Sequence, residues 1–123
     1  MLASFDMSLH DIKPGSKPDA LEVWKELQAK TPLGYDEGTL FPSAFGHLAG
    51  GYAVGYYGYL WAEVIAFDMR SAFGENLMDT AVSSHYRDTI LSRGSERRAQ
   101  EMVSDFLGRA PSTAAFFSEL NGK

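Results

Sequence analysis

The chain contains no cysteine. That absence excludes disulfides, thiolate nucleophiles and cysteine-ligated metal sites, and it suits a reducing compartment such as the cytoplasm. Histidine is nearly as scarce: His10, His47 and His85 stand tens of residues apart, and no His-Glu-x-x-His occurs. A helical zinc site of that kind needs two imidazoles four residues apart on one face, so it is missing here. Basic residues are also few, 11 Lys and Arg against 16 Asp and Glu, for a net charge of −5. Nucleic-acid binding draws on clustered cations that displace counterions, which argues against such a partner. Gly46-x-x-x-Gly50 lacks the Gly-Lys-Ser/Thr ending of a phosphate loop, so nucleotide binding is only weakly supported. Met1-Leu2-Ala3-Ser4-Phe5-Asp6 has no basic start and no long apolar core, so no signal peptide is expected.

What the chain does have is one concentrated, uncharged segment. No charged residue lies between Gly38 and Ala62, yet the run carries Pro42, six glycines, His47 and the tyrosines 52, 56, 57 and 59. Its length raises the question of a membrane span. The glycines and proline would leave backbone groups unpaired in lipid, so burial inside a protein, with no membrane partner, is the expectation. Flexible backbone, one titratable ring and spaced hydroxyls on an apolar run are the materials of a substrate cleft.

The fold class expected is all-α, in a chain of 123 residues that fits one modest domain. Leu2, Phe5, Leu9 and Ile12 follow a helical period that stops near Pro14-Gly15. Pro18, Asp19 and Glu22 suit the start of a second helix with Leu21, Trp24 and Leu27 inward, closed by Pro32-Leu33-Gly34. Residues 32 to 51 read as a long loop, and such loops are uncommon unless they act. A helix is predicted from about Gly51 to about Phe73, despite Gly55 and Gly58, each costing roughly 1 kcal/mol relative to alanine. Asp79 caps the next, with Val82, Tyr86 and Ile90 inward and Gly94 at its end. Ser95 opens another through Ala99, Met102, Val103 and Phe106, stopped by Gly108; Pro111-Ser112 introduces a last one with Ala115, Phe116 and Leu120. Neither strand alternation nor an internal repeat is present.

On the predicted tyrosine helix, Tyr56 lies about 40° from Tyr52, and Tyr59 about 20° to its other side. Three phenols thus form one stripe, extended by Glu63, with Trp61 opposite. Spacing alone leaves two meanings open, a packed core whose hydroxyls are satisfied by neighbours or a line of donors facing a ligand. Gly50-Gly51, just before the stripe, fits either a tight turn needing positive φ or a hinge that moves as a cleft closes. His10 reads as a cap or surface residue and His85 as solvated. Arg87 and Arg93 could grip a peptide carboxylate but more simply lie on the surface.

Ordered blocks along almost the whole chain carry a resemblance. Ser4-Phe5-Asp6-Met7, Phe41-Pro42, the His47 loop with its tyrosines, Tyr86-Arg87-Asp88-Thr89-Ile90-Leu91 and Phe106-Leu107-Gly108-Arg109-Ala110-Pro111 closely resemble the C-terminal catalytic segment of the thimet-oligopeptidase-like zinc metallopeptidases. The resemblance implies that residues 1–123 are a single helical segment, roughly the last fifth of such a peptidase and the C-terminal part of its catalytic domain. It implies that His47 hydrogen-bonds bound peptide backbone, that Tyr52 and Tyr59 approach the tetrahedral intermediate, and that Tyr56 lines a subsite. Gly50 and Gly51 would shape the substrate-binding loop. Zinc would serve the full-length enzyme, with no zinc ligand in this chain, which alone should be inactive. Short peptides would be the substrates, and the missing N-terminal portion a partner. Ala53-Val54-Gly55 leaves endopeptidase and dipeptidyl carboxypeptidase action equally open. The contrasting expectation is a non-catalytic helical interaction module that self-associates through its aromatic face.

Overall fold

Seven α-helices and no strand occur in the computed structural model, which describes residues 1–122. The expected all-α class is the observed one. The chain divides into two compact units, Met1–Leu60 and from Trp61 onward.

In the first unit, α1 (Leu2–His10) and α2 (Ala20–Ala29) carry the core. The Asp19 carboxylate accepts N–H bonds from Leu21 at 2.9 Å and Glu22 at 3.2 Å, which satisfies donors that the first turn leaves orphaned. Pro18 therefore precedes the cap rather than opening the helix. Phe5, Trp24 and Phe45 are buried together, with Val23 and Leu27 packed against them, so Val23 takes the inward place expected of Leu21. The Trp24 indole stacks on Phe41 at 4.3 Å and meets Phe5 edge-on at 5.2 Å.

The stretch expected to be a long loop contains α3 (Phe41–Ala44) and a 3₁₀ turn, Gly46–Leu48. Pro42 suits the first turn of α3, where a backbone N–H has no helical partner, and the Phe41 ring anchors that turn on Trp24. The tyrosine helix is corrected at its start: α4 runs Tyr57–Ser71, six residues later than the predicted Gly51. Gly51 and Val54 both adopt positive φ, +73° and +61°, and no right-handed helix passes through such residues. Gly55 consequently precedes the helix, and Gly58 sits in its first turn.

In the second unit, Asp79 caps α5 (Thr80–Tyr86) as expected, accepting from the N–H groups of Ala81 and Val82 at 2.9 and 3.1 Å. The helix continues through one widened π turn, Arg87–Leu91. α6 (Ala99–Leu107) buries Met102, Val103 and Phe106 and ends at Gly108 in the left-handed region. Ser95 does not cap it; Arg98 occupies that position without a side-chain bond. α7 (Ala114–Leu120) buries Phe116 and leaves Leu120 exposed. No helix among the described residues is long and apolar enough to cross a membrane.

One buried charge holds this unit. Asp68 of α4 is 1% exposed and accepts from Arg109 at 2.6 and 3.0 Å and from the Ser112 N–H at 2.7 Å. The paired Arg109 guanidinium holds the Asp68 carboxyl below its ordinary value, against the upward push of burial. The charged form is thus favoured by folding. Its contribution is complete above the unfolded aspartate pKa near 3.9 and disappears as pH falls through the lower folded value. Asp68→Asn is expected to cost about 1–2 kcal/mol near neutral pH, the lower part of the range for charged hydrogen bonds because Arg109 stays half in water. Urea midpoints between pH 7 and 3 check this: the substitution should lower the neutral plateau and flatten the acid limb.

Candidate functional site

His47 lies in the 3₁₀ turn directly after buried Phe45, whose ring is 5.3 Å from the imidazole. Three phenol rings surround it. Tyr52, Tyr56 and Tyr59 have centroids 5.7, 5.1 and 6.1 Å away, each ring nearly perpendicular to the imidazole. Tyr59 also meets Tyr52 at 5.7 Å and Tyr56 at 4.9 Å. The residues expected to act together are brought together, but not as one helical stripe. Tyr52 and Tyr56 precede α4 and Tyr59 belongs to its first turn, so a folded loop performs the convergence.

Two glycines are required for static reasons. A Cβ at Gly50 would come within 2.9 Å of the Gly46 carbonyl oxygen, closer than such contacts occur. At Gly55 it would meet the Tyr52 carbonyl at 3.0 Å and the Tyr52 ring at 3.3 Å, so this glycine lets Tyr52 fold back on the loop. Gly51, at φ +73°, serves the tight turn.

The cluster opens onto a hollow of about 700 Å³ lined in part by Leu2, Phe41, His47, Gly50, Tyr52 and Tyr56. Among the described residues no Asp, Glu, Lys or Arg is in its lining. Tyr59 is half exposed, and its hydroxyl lies a long 3.5 Å from His47 Nε2 and hydrogen-bonds the neighbouring Tyr52 phenol. A half-exposed hydroxyl can rotate toward another acceptor. Loss of surrounding water, and then the neighbouring Tyr59 and Tyr56 phenols, push the Tyr52 hydroxyl above its ordinary value. It therefore stays protonated, and a donor, at neutral pH.

The sequence reading missed Asp6 as a member of this site. Asp6 is 2% exposed, and its two carboxylate oxygens accept from the N–H groups of Val54 at 3.1 Å and Tyr56 at 3.0 Å. Burial raises its pKa, but those two N–H bonds and His10 outweigh it and hold the group below the ordinary aspartate value. Val54 has the one positive φ among the described non-glycine residues, a conformation that costs of order 1–3 kcal/mol and is worst for a β-branched side chain. The only signal in the sequence was the block Ser4-Phe5-Asp6-Met7 itself.

Other candidates fall away from the site. His10, expected to be a cap or surface residue, ends α1 and is partly buried, with Nδ1 2.9 Å from Asp6 Oδ1. His85 is exposed and lies face to face with Phe106 at 5.4 Å. Arg87 is paired with Asp88 and Arg93 with Glu96, so neither is poised for a peptide carboxylate.

Comparison with known proteins bears on what this cluster belongs to. Residues 1–122 match the sequence model described as Peptidase family M3. The chain belongs to that family. It is 38% identical over 120 residues to saccharolysin of Saccharomyces cerevisiae, covering 94% of this chain and 17% of that protein. With oligopeptidase A of Escherichia coli it shares 39% over 113 residues, 87% of this chain and 16% of the relative. With the organellar oligopeptidase A of Arabidopsis thaliana it shares 36% over 121 residues, 89% and 15% respectively. The chain spans about a sixth of the length of these M3 relatives. Zinc, implied by the resemblance, does not fit here: among the described residues no three His, Cys, Asp or Glu side chains group closely enough to hold a metal ion.

Proposed function

We propose that this chain is the C-terminal part of an M3 metallopeptidase catalytic domain and supplies the donors that receive the peptide at its cleavage site. The convergence of Tyr52, Tyr56 and Tyr59 on His47, at the edge of an uncharged hollow, carries this reading. When a peptide carbonyl is attacked, negative charge gathers on its oxygen. Phenols already aimed at that oxygen in an apolar surrounding stabilise it without reorganising at the moment of reaction. Tyr52 and Tyr59 are assigned that role. His47 and Tyr56 are assigned to the bound backbone and an adjoining side-chain pocket, with Gly50 and Gly51 keeping the turn close. Short peptides are the substrate class. The zinc ligands and the glutamate base must come from polypeptide outside this chain, which would then be inactive by itself. The cysteine-free sequence fits work in a reducing compartment such as the cytoplasm.

Combining the chain with the His-Glu-x-x-His-bearing portion of an M3 relative tests this. Cleavage of a short quenched-fluorescent peptide should occur in the zinc-loaded combination and in neither part alone. Cleavage by the isolated chain, or a zinc-bearing complex that binds the peptide and leaves it whole, would sink the proposal.

A second reading draws on Leu33, Leu40, Tyr57 and Leu60, large hydrophobic side chains of the first unit that are exposed. Single exposed hydrophobics are ordinary, but several on a small unit suit cover by a second polypeptide, including another copy of this chain. Light scattering of the purified chain distinguishes self-association from a monomer.

A further inference from the structure

We propose that Asp6 is a positioning residue for the phenols around His47. Its carboxylate locks the Val54–Tyr56 backbone in a conformation that valine disfavours, and so keeps Tyr52 and Tyr56 at the imidazole. The consequence for turnover rests on the peptidase reading above; the consequence for the loop does not.

Three observations converge on Asp6. First, the loop it grips is the one that places the rings. Tyr56 donates its backbone N–H to Asp6 while its ring lies 5.1 Å from both His47 and Phe45, and the Tyr52 carbonyl accepts the Gly55 N–H at 3.0 Å. Second, this loop has little stiffness of its own. Gly51 and Gly55 flank Val54, whose left-handed φ of +61° would relax toward ordinary values if nothing opposed it. Third, the grip suits an ionised carboxylate. Two neighbouring N–H donors take one oxygen each, and His10 Nδ1 lies 2.9 Å from Oδ1 and 2.8 Å from the Asp6 carbonyl oxygen, steadying the group from the other side. An asparagine would turn an NH₂ toward one of those N–H groups. Asp6 reaches the tyrosine loop across 48 and 50 residues of sequence, from a helix that holds Phe5 at the centre of the core.

The test pairs Asp6→Asn with Val54→Gly, because glycine adopts positive φ without strain and should make the grip dispensable. In the chain itself, Asp6→Asn should speed amide hydrogen exchange at positions 54 and 56 by roughly tenfold or more while Trp24 and Leu27 keep their protection. The double variant should recover slow exchange at position 56. In the peptidase that carries this chain, Asp6→Asn should lower kcat by about 10- to 100-fold with KM nearly unchanged, and adding Val54→Gly should restore most of it. Unchanged exchange at 54 and 56 in Asp6→Asn overturns the proposal, as does a kcat loss that Val54→Gly leaves unrelieved. Should Asp6→Asn fail to fold, the double variant decides: folding with a protected position 56 supports the grip, and failure to fold assigns Asp6 to the core instead. Tyr59→Phe measured alongside separates the two ideas. If it leaves turnover intact, the peptidase role is wrong, and the exchange data alone judge the grip.

Discussion

Replacing Tyr59 by phenylalanine is expected to lower kcat of the assembled peptidase by about 10²–10³-fold, the usual loss when one donor to a developing oxyanion is removed. The substitution deletes only a hydroxyl. Tyr59 is 51% exposed, the phenylalanine ring keeps its contacts with His47, Tyr52 and Tyr56, and the lost hydroxyl gives up the long contact to His47 Nε2 and the bond with the Tyr52 phenol. In the role proposed for Tyr59, a bond to the carbonyl oxygen would tighten only as charge develops there, so KM should change far less than kcat. Tyr57→Phe supplies the control. Tyr57 stands two residues away on the same helix and is equally exposed, but it is not among the rings gathered at His47. Steady-state kinetics on a short peptide should show the loss at position 59 and none at 57. Equal, small effects at both would mean the cluster is only packed surface.

The second large effect concerns the core behind the site. Phe5→Ala should destabilise the first unit by about 3–5 kcal/mol, the cost typical of deleting a fully buried aromatic ring. Phe5 is 0% exposed, contacts Trp24 at 5.2 Å and Phe45 at 6.4 Å, and leaves a void that two rigid rings cannot easily close. Set against a typical domain stability of about 5–15 kcal/mol, that loss is severe. Urea unfolding followed by helix content should show the midpoint falling sharply, whereas Leu33→Ala, at a nearly fully exposed position, should shift it by no more than about 0.5 kcal/mol. Since Phe45 touches both Phe5 and His47, the variant should also blur the imidazole's position. A near-native midpoint would refute the packing account.

What could be read in advance divides by distance along the chain. Asp79 and Gly108 were legible because a cap or a left-handed stop is decided within a few residues. Of the six residues that the resemblance pointed to, His47, Tyr52, Tyr56 and Tyr59 lie with their rings together, and Gly50 and Gly51 form the turn between them. The mechanism of gathering was not legible. A 3.6-residue period fits Tyr52, Tyr56 and Tyr59 well, yet the left-handed Val54 breaks the helix before it reaches Tyr52. Nothing local announces a valine in that conformation, because its support comes from Asp6 some fifty residues away. The Asp68–Arg109 pair, 41 residues apart, escaped notice for the same reason. Side-chain bonds between distant segments leave no periodic mark.

The placement of the two tryptophans has a practical consequence. Trp24 is sealed among aromatic rings in the first unit, while Trp61 of the second is more than half in water. The indole emission of the folded chain should accordingly be a sum of a blue component and a red one. Only the blue component has far to shift when its surroundings open, so intrinsic fluorescence becomes a selective gauge of the unit that holds His47 and its tyrosines, and needs no added label.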